Sequence, residues 1–465
     1  MIRLIAFGIS VVALLVLLSG CASSNDHQSV LHFRETGGQT LSAANAEATS
    51  PNLPELTETS TLGDYLAYAA LRNPGLEAAF HRWQAALQRV PQEQSLSDPQ
   101  FTYQYFVARM KEGDTPRQTF ELSQMFPWFG KLELRGGMAM EMANAEQQRF
   151  EAARLMLVRQ VTENHCELAY WSQAVDITRK NRDLLKYLQD VATLRYQAAA
   201  ATHPDVIRAQ VEVLKIENEL QTLLDLRGVV VARLNAALGR PADAPLPGAA
   251  SLSDGKLAVD DAQILAWLGE SNPELKAMAF EMAARQKAEY LARLGYFPDV
   301  MLGVGLEDMP VTPMNNRDPV MVTVSVNIPI WYDRLRAAER EAHAGYLSLA
   351  KDRDDRLNAL GAEVRMTLYN IRDAERRIDL YTRALIPKTD QSLQATEAAF
   401  RAGNATFTDL LDTQRTLLEL RRALARARTD RAQRMAELQA MVGRDLPVAP
   451  AAAKPAEPAE KPAGK

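Results

Sequence analysis

Val320-Met321-Val322-Thr323-Val324-Ser325-Val326-Asn327-Ile328 alternates without a break. Every branched aliphatic side chain falls on one face, and Met, Thr, Ser and Asn fall on the other, the period-two signature of a strand with one apolar side. A partner strand lies upstream in Val300-x-Leu302-x-Val304-x-Leu306, with Gly303 and Gly305 opposite. The first half of the chain holds a second pair. There Phe101, Tyr103, Tyr105 and Val107 alternate with Thr102 and Gln104, and Phe120, Leu122 and Phe126 alternate with Thr119, Glu121 and Ser123, while Gln124 interrupts the apolar face. Polar connections, Ala108 to Arg117 and Glu307 to Pro319, join the strands of each pair.

These hairpins admit two readings. A soluble sheet would pack its apolar face on helices; a segment of membrane barrel would turn that face to lipid and its polar face to a lumen. The barrel is favoured, because strands near nine residues suit tilted spans. Aromatics also gather at the helix-side ends: Phe126, Trp128 and Phe129 in one half, and Tyr296, Phe297, Trp331 and Tyr332 in the other, where an interfacial girdle belongs. Four strands cannot close, and lipid tolerates no open edge, so the barrel would be shared between chains. Two chains give eight strands and three give twelve, and the strands do not choose between them.

Outward from the hairpins, the chain repeats itself. Asn73-Pro74-x-Leu76-x-Ala78 recurs as Asn272-Pro273-x-Leu275-x-Ala277, Pro99 as Pro298, and Pro127-Trp128 as Pro329-Ile330-Trp331. Tyr196 to Gln210 matches Phe400 to Gln414, and each copy closes on Ala-x-x-Gly-Arg, at 236–240 and 440–444. Each unit reads as helix, hairpin, then two long helices, mainly α with a small β part. From Lys131 to about Ala198, and again from Arg334 to Arg401, helix-forming residues dominate over lengths near 100 Å at about 1.5 Å per residue. Pro387 is expected to kink or break the second run.

The N-terminus reads as an address. Met1-Ile2-Arg3 precedes an apolar run from Leu4 to Leu18 and then Leu18-Ser19-Gly20-Cys21, a lipobox with Cys21 as the lipidated first residue of the mature chain. An ordinary secretory signal with an incidental cysteine is the alternative. The expected organisation is a signal peptide over 1–20, a lipidated linker over 21–60, a first repeat over 61–245 (hairpin about 100–126), a connection over 246–260, a second repeat over 261–447 (hairpin about 299–328), and a disordered Ala/Pro-rich tail over 448–465.

The 465 residues carry a net charge of −5, which offers nucleic acid no basic face. Mean hydropathy of −0.22 excludes a bundle of transmembrane helices. Two cysteines exclude a disulfide framework, and Cys166 reads as packed rather than reactive. No nucleophile elbow, phosphate loop or His-Glu-x-x-His is present, and the six histidines are scattered without metal-ligand spacing, so an enzyme is not expected.

The lipobox, the paired Asn-Pro-x-Leu-x-Ala, Phe126-Pro127-Trp128-Phe129-Gly130-Lys131 and Arg401-x-Gly403-x-x-Thr406-x-x-Asp409-x-Leu411-x-x-Gln414 together resemble the TolC-type outer-membrane efflux family over about residues 60–447. The resemblance implies a homotrimer whose twelve-stranded β-barrel, in the outer membrane of a Gram-negative bacterium, continues into a periplasmic α-helical barrel. It implies a passive exit duct of a tripartite efflux pump, with a periplasmic adaptor and an inner-membrane pump as partners, and no cofactor beyond the covalent lipid on Cys21. The rival is a periplasmic coiled-coil structural or adaptor lipoprotein.

The resemblance also places an iris-like periplasmic tip at the turn between each unit's long helices. Gly403 matches its turn glycine, and Asp409 and Asp412 match gating acidic rings, whose carboxyls would be raised in a narrow pore. Starting the returning helix is the simpler reading of both aspartates. In the first half Asp205 matches Asp409, but Arg208 stands where Asp412 does, which suggests an Arg208–Asp412 latch. Trp128, Phe129, Trp331 and Tyr332 are the membrane-interface candidates. Sixteen methionines suggest soft metal ions such as Cu(I), against their commoner use as flexible packing. The Phe-Pro-Trp-Phe-Gly-Lys segment looks more like members of heavy-metal efflux systems than drug ones.

Overall fold

The computed structural model describes residues 56–57, 59–107, 118–199, 202–248, 255–308 and 319–449. Cys21, the signal, most of the linker, residues 108–117 and 309–318 of the strand-joining connections, and the tail beyond Ala449 lie outside them. The first unit runs α1 (Leu62–Arg72), α2 (Pro74–Gln94), β1 (Gln100–Tyr105), β2 (Gln118–Phe126), α3 (Lys131–Gln197) and α4 (His203–Leu238). A short β3 (Lys256–Leu257) follows. The second unit runs α5 (Asp261–Ser271), α6 (Pro273–Leu294), β4 (Val300–Asp308), β5 (Val320–Val326), α7 (Tyr332–Leu380), α8 (Ile386–Arg401) and α9 (Phe407–Val442), and β6 (Val448–Ala449) pairs with β3. Val448 and Ala449, expected in the tail, therefore belong to the fold.

The repeated landmarks meet in space, which explains why they recur together. Asn73 caps α2 by accepting from the Leu76 N–H at 3.0 Å while its amide donates to the Ala237 carbonyl at 2.9 Å. Asn272 caps α6 through Leu275 at 2.9 Å and donates to Met441 at 2.7 Å. Each proline takes the first turn, where its missing N–H costs nothing. Gly239 (φ +70°) and Gly443 (φ +83°) end α4 and α9 hard against these caps: a Cβ would come within 2.5 Å of the Arg72 carbonyl oxygen, or 2.6 Å of that of Ser271. The next residues, Arg240 and Arg444, stack over Tyr68 and Trp267. Around the second junction Ile264, Leu268, Leu275, Val364, Leu368 and Leu438 form a buried core.

α3 runs uninterrupted through 67 residues. The matching run does not break at Pro387. It passes from α7 through a π-helical turn, Tyr381–Leu385, directly into α8, with the proline in that helix's first turn. The wider turn moves the preceding carbonyls off the position the pyrrolidine ring would strike.

The four long strands form one antiparallel sheet in the order β1-β2-β4-β5, the two units joining where β2 pairs with β4. The register lines up Phe101, Leu122, Val304 and Val322 in one cross-strand row, and Tyr103, Phe120, Leu306 and Val320 in another. Among the described residues no helix layer covers this face, which leaves Phe101 67% and Val322 71% exposed. The opposite face holds Ser123, Gly303 and Gly305, all buried. Gln124, the interruption in the apolar row, sits near the helix-side end and turns its amide to the Ser97 carbonyl at 2.8 Å.

Candidate functional site: the helical tip and the strand–helix junction

The tip is built where α3 meets α4 and α8 meets α9. Thr202 and Thr406 each start a returning helix with a capping box. The Asp205 carboxylate accepts from the Thr202 hydroxyl at 2.7 Å and its N–H at 3.2 Å; Asp409 accepts from Thr406 at 2.6 and 3.0 Å. These are the third helical positions, where an acid both satisfies an orphan donor and meets the positive end of the dipole. The Thr406 hydroxyl, and after it the Thr406 N–H, holds the Asp409 carboxyl below the usual carboxylate range. Within one chain this reverses the upward shift expected of a gating ring, because the nearest groups are donors rather than like charges.

Asp412, one turn on, caps nothing. It lies 3.3 Å from Arg415, whose guanidinium also pairs with Glu212 of α4. Burial alone would raise the Glu212 carboxyl, but donors from Arg415 and Lys215 hold it low. Arg208 does not reach Asp412. It donates to the Thr408 hydroxyl at 2.8 Å and stands 3.9 Å from Asp205, so within one chain the expected latch is absent. Gly403 turns the second tip at φ +82° and Ala199 turns the first at φ +54°.

Below these polar caps Leu188, Ala192, Val206, Phe400, Phe407 and Leu410 pack together. Arg195 lies over the Phe400 ring at 4.5 Å and donates to its carbonyl; Arg401 donates to the Tyr187 hydroxyl at 2.7 Å. Further along, the Gln414 amide donates to Asn181, and a groove of about 420 Å³ opens between α3, α4 and α9 beside Glu212, Lys215 and Arg415. The two helical hairpins are thus stitched by side chains whose partners lie more than 200 residues away, a pairing that spacing along the chain does not signal.

At the opposite end, the four aromatic candidates divide. Phe129 is 86% exposed, and Trp331 and Tyr332 are also exposed, with Tyr332 stacked on Tyr296 at 6.4 Å. Trp128 is half-buried and stacks on Phe297 at 5.3 Å. Beside it Lys131, only 6% exposed, donates to Asp299 at 2.7 Å and to the Phe297 carbonyl at 3.1 Å. Asp299 also accepts from the Trp128 N–H at 2.7 Å, and its own N–H donates to Asn327. This clamp joins the two units where strands become helices. Its lysine stands in the quoted Phe-Pro-Trp-Phe-Gly-Lys stretch; its aspartate carried no signal at all. Among the described residues no group of three or more His, Cys, Asp or Glu could hold a metal ion.

The family profile described as outer membrane efflux protein matches residues 66–240 and 268–444, one match per unit. No curated protein sequence matches the chain. Solved structures share its fold. VceC of Vibrio cholerae aligns with a TM-score of 0.70 at 18% identity, covering 82% of this chain and 96% of its own. CusC aligns at 0.71 and 15%, covering 86% and 99%, and the open state of the MtrE channel of Neisseria gonorrhoeae at 0.68 and 16%, covering 82% and 89%.

Proposed function

The chain belongs to the outer membrane efflux protein family, a family of passive channels, and from that premise we propose that it is the outer-membrane exit duct of a tripartite pump. Three copies would set β1 of one beside β5 of the next, which closes twelve strands and removes the edges that lipid forbids. The observation that carries this reading is the sheet itself: among the described residues its apolar rows are uncovered by any helix, and both outer strands are unpaired on one side. Phe129, Trp331 and Tyr332 would then sit at the periplasmic interface of the bilayer, where amphipathic rings are favoured. Lipid on Cys21 adds a second hold on the same membrane.

In this reading the long helices reach through the periplasm to an adaptor and an inner-membrane pump, which supplies the energy. Asp412, free of capping duty, is the gate acid; Asp409 holds the helix start, and Asp205, Arg208 and Gly403 shape the same turn. Three Asp412 carboxylates around a narrow aperture attract cations, and heavy-metal ions are included in the proposed cargo.

Removing the lipid tests the assignment. Cys21→Ser behind an ordinary secretory signal is expected to remain detergent-dependent and to run as a heat-sensitive trimer. A chain that dissolves in buffer once unlipidated would instead be a periplasmic spacer. A deletion strain challenged with copper, zinc and hydrophobic drugs tests the cargo: unchanged metal tolerance removes metals from it.

A further inference from the structure

The sheet face opposite the apolar rows is not electrically neutral. The four long strands contain no lysine or arginine, and the charged side chains on this face are Glu121 and Glu307, both acidic. Glu121 stands opposite Gly305, and Glu307 opposite Thr119, which makes the two acids diagonal neighbours. The Glu121 carboxylate turns away from Glu307 and lies across Gly303. A Cβ at that glycine would meet Glu121 Oε1 at 2.7 Å, with the Cβ atoms of Thr323 and Ser123 at 3.3 and 3.5 Å. The missing side chain is what lets the carboxylate rest flat on the strand surface between two hydroxyl residues. Position 303 thus reads as a cradle for an acid, well above the helical tip.

We propose that Glu121, laid over Gly303, forms a ring of three carboxylates that makes the strand-lined part of the duct selective for cations over anions, a second charge filter separate from the Asp412 aperture. The inference rests on the barrel reading above, because only a closed barrel turns this face into a lumen and repeats Glu121 at one height.

The test uses the full lipoprotein in planar bilayers at low salt, with hexamminecobalt(III) as the trivalent probe. The long helices cannot cross a bilayer, so channels added to one chamber insert strand-loops first and share one orientation. Native channels are expected to be blocked from the loop side. Glu121→Gln raises the loop-side half-blocking concentration by roughly two- to fivefold, the scale of a partly screened charge, and Glu121→Asp keeps it near native. Gly303→Ala, which retains the charge but displaces the carboxylate, gives a smaller rise in the same direction. Asp412→Asn alters block from the helix side alone. Loop-side block that is missing in the native channel, or unchanged in Glu121→Gln while single-channel conductance persists, overturns the ring and leaves the duct standing. Native protein that forms no channels overturns the duct itself, and the ring with it.

Discussion

Ala199 and Gly403 turn equivalent tips in the same left-handed backbone region, at φ +54° and +82°, and only the second is a glycine. The first unit therefore holds an alanine where a Cβ crowds the following carbonyl, at about 1–2 kcal/mol. The roots of the same hairpins differ in the opposite sense. In the second unit Ile264 and Leu368 share a buried apolar core. At the equivalent places in the first unit Tyr65 and His165 meet edge to face at 5.1 Å, both buried, with the tyrosine hydroxyl and both imidazole nitrogens lacking a protein partner. Burial holds the His165 pKa below its usual value. Duplication preserved the joints and the backbone turns; it did not preserve what fills them. Charge is distributed just as unevenly, with Arg208 in one unit where the other has Asp412.

The joints should respond alike in both units, which makes them the sharpest check on the duplication. Gly239→Ala and Gly443→Ala each force a Cβ onto a backbone carbonyl and strain a positive φ, and each is expected to cost about 2–3 kcal/mol. Thermal melts of the detergent-solubilised protein would measure it. A large loss at one site and none at the other would break the equivalence.

The turns should respond oppositely. Ala199→Gly is expected to leave stability unchanged or raise it, and Gly403→Ala to lower it by about 1 kcal/mol, read by proteolysis at the tip. Equal effects of one sign would mean that the two turns are not the same conformation. His165→Leu gives the first unit the apolar filling of the second and is expected to stabilise it by about 1 kcal/mol, since it removes a buried polar group without a partner. A destabilised variant would mean that the imidazole has a bound water to satisfy it.

Acid gives the smallest effect. Asp409 and Glu212 are both held below the ordinary carboxylate value, so their contribution to the tip is complete above about pH 4.5 and fades as pH falls through their lower native values. Tip protection from proteolysis should stay flat from pH 8 to 5 and drop only below that; loss beginning near pH 6.5 would mean that these two carboxylates do not govern it.

The duplication, the four strands and their apolar-out pattern were legible in the chain because each is a local period or a repeated word. The reading of both aspartates as starting the returning helix holds for Asp409, which closes the capping box with Thr406, and not for Asp412. What stayed hidden was tertiary partnership: Lys131 with Asp299, Gln414 with Asn181, Arg415 with Glu212. Each side chain is ordinary in its own neighbourhood and gains its role from a residue more than 160 positions away. Within one chain the Arg208–Asp412 latch does not form, for a related reason. It joined two charges by aligned position, whereas Thr408 and Arg415 lie closer to them in space.

The central claim is that the apolar face of the sheet meets lipid and the other face a lumen. Val322 and Thr323 are neighbours on opposite faces of β5. Arginine at the first would cost about 2–4 kcal/mol near the bilayer midplane and at the second far less. Assembly into heat-sensitive trimers decides it: Val322→Arg should abolish assembly while Thr323→Arg permits it. The reverse, or equal tolerance of both, would contradict a barrel in lipid.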